Sequence, residues 1–316
     1  MRYLDPKNDL TFKKVFGQHP HLLRSLLNAL LPLPAGRQVT ELEYLPPELV
    51  PDIPVLKNTI VDVRCTDNTG RQFIVEMQLF WTPSFKSRVL FNASKAYVRQ
   101  LEAGKPYKGL KPVYALSFVN DIFEEDTQEH YHHYSIIHNQ LTDKRIEGLE
   151  FVFVELPKFK AKNLTEKKLQ VLWLRYLTEI EDKTETPPAD LLDDPDVREA
   201  IEILRESAFT LGELESYDKY WDHVSTEKTL IEDSLEKGRV EGEQSGFEKG
   251  EQLGLKKGRE EGREEGREEG REEGIKLTLQ VIRLHSEGAA IDRICEELGQ
   301  TQDSVIKILK AAGLQT

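Results

Sequence analysis

The sequence has almost no cysteine. Cys65 and Cys295 are the two it contains, far apart and without the spacing of a metal site. That argues against a disulfide framework and fits a reducing, cytoplasmic setting. A long apolar run is also missing. No stretch reaches the length of a membrane span, so no membrane partner is expected. The start has no signal-peptide pattern, because Met1 leads straight into the polar Arg2-Tyr3-Leu4-Asp5-Pro6.

What is present is charge, unevenly placed. The 316 residues are 38% hydrophobic and 31% charged, with a net charge of -13. Residues 1–110 hold 15 Lys/Arg against 10 Asp/Glu, or +5, and the remainder holds 28 against 46, or -18. A basic first third suits a polyanionic substrate and an acidic remainder does not, so two parts with different work are expected.

The basic third contains two runs with strand patterning, Ile60-Val61-Asp62-Val63-Arg64-Cys65 and Gln72-Phe73-Ile74-Val75-Glu76-Met77-Gln78-Leu79. Residues 66–71, with Asn68 and Gly70, predict the hairpin turn between them. Asp62 is expected in mid-strand, and Glu76 and Gln78, two apart, on one face of the sheet. Carboxylates on adjacent apolar strands repel each other, and a divalent cation removes the repulsion. Hard oxygen ligands suit magnesium or manganese. On these residues alone a carboxylate on the solvent face of a half-buried strand is the favoured reading, and the metal site is the alternative.

Before the hairpin, residues 8–16 predict a helix capped by Asn8 or Asp9, and residues 21–31 a second one stopped by Pro32 and Pro34. Residues 33–59, rich in proline, predict loop with short extended pieces. After the hairpin a helix is expected over residues 84–103, with Lys86, Arg88, Lys95 and Arg99 on its flanks. Those cations make either an ordinary solvated face or one that tracks DNA phosphates. Strands are expected over 111–119, 131–138 and 150–156, and helices over 163–181, 196–211 and 213–224. His130, His132 and His133 lack a ligand set around them and predict an exposed strand edge rather than a metal site.

From Gly238 to Gly274 glycine recurs every fourth residue, and residues 259–274 are four copies of Arg-Glu-Glu-Gly. Arg and Glu at helical spacing favour a helix, while glycine each turn opposes it by roughly 1 kcal/mol per residue. A solvated, marginal helix serving as a spacer of roughly 55 Å is expected. Residues 275–285, 289–298 and 302–311 then predict three short helices. Their spacing is like a helix-turn-helix, but the third offers only Lys307 and Lys310 as cations. A packing or oligomerisation module is favoured over a sequence reader.

The ordered set Asn8-Asp9-Leu10-Thr11-Phe12-Lys13-Lys14-Val15-Phe16-Gly17, Asp62, Glu76-Met77-Gln78, the helix through Tyr97, then Tyr107 and Lys111-Pro112-Val113 resembles the Rpn family. These are recombination-promoting nucleases, grouped with transposases, in the PD-(D/E)xK nuclease superfamily. The resemblance covers roughly residues 1–225. It implies an α/β fold with a restriction-endonuclease-like core, a mixed sheet flanked by helices, and a Mg²⁺- or Mn²⁺-dependent DNA endonuclease activity linked to recombination or transposition. Asp62 and Glu76 take the places of the metal-binding acids, and Asp9 matches an N-terminal acidic position that either completes the metal site or caps its helix. Gln78 stands where the superfamily has lysine, a variant familiar in this family, and counts with Asp62 and Glu76 as catalytic. Lys86, Arg88, Lys95 and Arg99 are the candidate DNA contacts.

Three parts are therefore expected: a nuclease-like domain over 1–225, a charged glycine-repeat linker over 226–274 and a small helical module over 275–316. A homodimer is expected because two sites cut both strands most simply. The acidic remainder either modulates activity by competing with DNA for the basic third, or the tail serves to pair protomers. The competing function is a DNA-binding or assembly protein with a weak or inactive site, motivated by Gln78 and the acidic remainder.

Overall fold

A computed structural model describes residues 2–49, 59–101, 104–161 and 168–314. The last proline-rich residues before the hairpin (50–58), Ala103 and the first turn of the expected 163–181 helix (163–167) lie outside them.

The chain opens with α1 (Asp9–Gln18) and α2 (Pro20–Leu30). The side chain of Asn8 accepts from the Leu10 N–H at 2.9 Å, so Asn8 is the cap and Asp9 lies in the first turn. Short strands β1 (Leu42–Tyr44), β2 (Glu48–Leu49) and β3 (Thr59–Ile60) follow. Next come the hairpin strands β4 (Val63–Asp67) and β5 (Gln72–Gln78). The turn between them needs glycine, since Gly70 has φ +85°. Asp67 Oδ1 accepts from the Thr69 and Arg71 backbone N–H groups and holds it closed.

After the hairpin come α3 (Phe85–Val98), β6 (Val113–Val119), β7 (Tyr131–Ile137) and β8 (Arg145–Glu155). The helices α4 (Lys168–Glu179) and α5 (Pro195–Ile203) complete this part. Six strands form one mixed sheet in the order β1-β4-β5-β6-β8-β7. The pairs β5/β6 and β6/β8 are parallel and the others antiparallel. All seven residues of β6 are buried, as a central parallel strand covered on both faces must be.

Alternation along the strands assigns the two faces. Phe73 and Val75 pack with Phe16, Leu26, Trp173 and Ile201 from α1, α2, α4 and α5. Ile74 packs with Phe85, Val89, Ala93 and Ala96 of α3 on the opposite face. Glu76 and Gln78 follow Ile74 in this alternation and so lie under α3. Asp62 departs from the expected mid-strand position. The run 60–65 is split, because Ile60 pairs with Glu48 of β2 in a separate two-stranded sheet while Val63 pairs with Val75 of β5. Asp62 stands at the bend between them.

The chain divides into two compact units, Met1–Thr229 and Leu230–Thr316. The helix α6 (Leu211–Ser286) passes from the first into the second. The separate helices expected at 213–224 and 275–285 are parts of it. No proline occurs after Pro195, so nothing removes a helical hydrogen bond over this length, and glycine weakens a helix without blocking it. Arg239 pairs with Glu236 and Glu243, one turn to either side. In the second unit α7 (Ile291–Leu298) and α8 (Gln302–Ala311) pack with the end of α6 through Val281, Ile294, Val305 and Leu309.

Candidate active site

The site is built by a match of two repeats. Two residues along a strand advance by about 6.7 Å, and four along a helix by about 6 Å. Glu76 and Gln78 on β5 therefore stand in step with Asn92 and Arg88 on α3. Asn92 Nδ2 donates to Glu76 Oε1 at 3.1 Å, and the Arg88 guanidinium donates to Gln78 Oε1. Gln78 Nε2 donates to the Phe80 carbonyl at 2.8 Å, so both ends of this amide are engaged. Asp62 closes the group from the bend before β4, with Oδ2 accepting from the Met77 N–H at 2.7 Å. Asp62, Glu76, Gln78, Arg88 and Asn92, with Ile60 and Met77, line one cleft of about 260 Å³.

Both acids in the cleft resist ionisation. Burial is the main cause for Glu76, the negative charge of Asp62 adds to it, and together they push the carboxyl up to about 7. The Asn92 hydrogen bond and the Arg88 charge pull it down by less. Asp62 is pushed up to about 6, again chiefly by burial. The Met77 N–H opposes this, Asp9 adds to it, and Lys13 and Arg88 favour the anion.

The structure brings some of the expected residues together and sets others apart. Asp62, Glu76 and Gln78 meet, and Arg88 joins them. Asp9 does not line the cleft, and its carboxylate is paired with Lys13 Nζ at 2.7 Å. The same Lys13 Nζ lies 3.9 Å from Asp62 Oδ1. Lys86 is engaged elsewhere, bridged to Glu124 and lying 4.8 Å from the ring centre of Phe123 and 5.4 Å from that of Tyr134. Lys95 donates to the Leu49 carbonyl at 2.6 Å, and Arg99 caps the end of α3. Arg99 lies close enough to Arg64 and Lys95 that its charge adds to burial in lowering the affinity of both for protons. Arg99 is thus a neighbouring like charge for both Arg64 and Lys95.

Of the histidines, His132 and His133 lie on β7, the edge strand as expected, and His130 stands just before it, but the His132 side chain is largely covered rather than exposed. Two of them pair across to β8, His132 with Glu155 at 2.7 Å and His133 with Glu150 at 2.6 Å. Asn92 and Lys13 were not singled out by sequence. The available signal for Asn92 was its spacing of four from Arg88, matching the spacing of two from Glu76 to Gln78.

Paired acids at the edge of β5, on a mixed sheet with helices on both faces, have a counterpart among known families. A family model described as PD-(D/E)XK nuclease family transposase matches residues 6–233. The chain belongs to this family. The match spans the whole six-stranded sheet and its helices and leaves out most of the second unit. No curated protein and no solved structure matches the chain.

Family membership supports a nuclease- or transposase-like role, and PD-(D/E)XK nucleases generally use divalent metals. The residues present fit a hard cation. The cleft offers two carboxylates that repel each other, and beside them Asn92 Oδ1, buried and without a hydrogen-bond partner. Among the described residues no group of three His, Cys, Asp or Glu side chains is arranged around a single metal position, so the acid set is a pair.

Proposed function

We propose that the protein is a metal-dependent DNA endonuclease that hydrolyses phosphodiester bonds, and that Asp62 and Glu76 hold the cation, Mg²⁺ or Mn²⁺. The observation that carries this reading is the pair itself: Asp62 and Glu76 line one cleft, and burial, with the charge on Asp62 adding to it, pushes the Glu76 carboxyl up. Such an arrangement costs stability in the free protein and is relieved by a cation between the two groups. What a divalent cation supplies at such a pair is stabilisation of charge on the scissile phosphate and acidification of the attacking water.

The chain's own groups do the positioning. The Met77 N–H fixes one oxygen of Asp62, and the Asn92 amide fixes one oxygen of Glu76. DNA is the substrate class favoured by Arg64, Lys95 and Arg99. Arg99 opposes the charge of both others, and an approaching phosphate backbone relieves that repulsion.

The test is cleavage of supercoiled plasmid by the full chain with Mg²⁺, Mn²⁺ or EDTA, beside Asp62→Ala and Glu76→Ala. Nicked or linear product with metal, none with EDTA and at least ~100-fold less from either variant is expected. Equal cleavage by the folded variants would rule out the assignment of these two acids. No cleavage by the wild-type chain would rule out the nuclease.

A further inference from the structure

We infer that Arg88, held in place by Gln78, supplies the positive charge at the scissile phosphate that the superfamily's lysine would supply from position 78. This inference rests on the nuclease reading of the cleft and assigns one more residue to it.

Gln78 brings no charge, and its hydrogen bonds show how it is used instead. Its Nε2 is spent on the Phe80 carbonyl and its Oε1 receives the Arg88 guanidinium. A side chain bound at both ends is a fixed acceptor rather than a group that follows a reacting water. Gln78 is therefore a positioning residue, and the group it positions is a cation.

Arg88 is well placed. It lies one turn before Asn92, on the face of α3 that meets Glu76 and Gln78. Its guanidinium carbon lies 4.9 Å from the centre of the buried Phe85 ring, so an aromatic group holds it as well as the amide. Its charge acts on both Asp62 and Glu76. The guanidinium has five N–H donors in a fixed fork and Gln78 Oε1 takes one, which leaves donors for phosphate oxygens. Lys13 is the rival cation. Its charge acts on Asp62, but its ammonium is paired with Asp9 at 2.7 Å and it does not line the cleft.

Arg88 is exposed on a helix, so Arg88→Ala keeps the fold. The experiment is single-turnover cleavage of a labelled DNA duplex by the full chain with Mn²⁺, with duplex affinity measured separately in EDTA. The variants are Arg88→Ala, Gln78→Leu, the double variant Arg88→Ala/Gln78→Leu and the double variant Arg88→Ala/Gln78→Lys.

Arg88→Ala is expected to slow cleavage by about 100-fold or more and to change affinity by no more than about 3-fold. Gln78→Leu slows cleavage too, and adding it to Arg88→Ala costs nothing further, because Gln78 acts through Arg88. Gln78→Lys in the Arg88→Ala background restores at least about 10-fold, because the lysine returns the missing charge. A merely structural Gln78 would not show this rescue. If Arg88→Ala cuts like wild type, if its affinity falls as far as its rate, or if the lysine restores nothing, the inference is overturned and the nuclease stands. If the wild-type chain cuts nothing, the nuclease reading itself falls and takes this inference with it.

Discussion

Glu76 is only 7% exposed, faces Asp62 and has one side-chain donor, Asn92. Its carboxyl lies near pH 7 in the folded chain against an ordinary value of 4.5, so the folded state holds this proton more tightly than the unfolded state. Between those two values the folded chain keeps a proton that the unfolded chain has already lost, so stability falls as pH rises through the interval. Glu76→Gln removes the charge and keeps the shape. Without metal it is expected to be more stable than wild type by about 1–3 kcal/mol at pH 8, with the difference gone near pH 4. Urea denaturation in EDTA at the two pH values measures this. A variant less stable than wild type at pH 8 would mean that Glu76 is already balanced by a charge of its own.

At the scale of elements, the site depends on the register between β5 and α3. Much of this was legible in the sequence. The hairpin showed in the alternation of residues 72–79 and in Gly70, and the shared face of Glu76 and Gln78 followed from period two. The bend at Asp62 was not legible, because pairing of Ile60 with Glu48 joins segments with no local signal between them. Asn92 was hidden for a related reason. An asparagine in a helix looks like any surface polar residue until a strand is laid beneath it. The glycine repeat was expected to be helical; what a local reading missed is that it joins the helices expected at 213–224 and 275–285 without a break, as the absence of proline allows.

A testable consequence concerns those glycines. A Cβ at Gly254 or Gly258 meets nothing within 4 Å, so Gly254→Ala and Gly258→Ala are each expected to stabilise the helix by roughly 0.5–1 kcal/mol. Far-UV circular dichroism melts of the full chain should show the helical signal persisting to higher temperature. A lower melting point would mean that these positions are closely packed against another chain.

For the whole molecule, the acids and the family match belong to one unit and the small helical core around Ile294 to the other. A ligand stabilises the unit that binds it. Calorimetry is expected to show Mn²⁺ raising the transition of the first unit alone, while Ile294→Ala lowers that of the second by about 2–5 kcal/mol. One transition moved by both changes would show that the units unfold together. The central claim is that Asp62 and Glu76 are an acid pair kept for a cation, and counting bound Mn²⁺ by electron paramagnetic resonance tests it most directly. The account predicts a single site per chain at pH 8, lost in both Asp62→Ala and Glu76→Ala and weakened at pH 6, where Glu76 with its carboxyl near 7 is mostly protonated. Mn²⁺ binding that is the same in wild type and in both variants would contradict it.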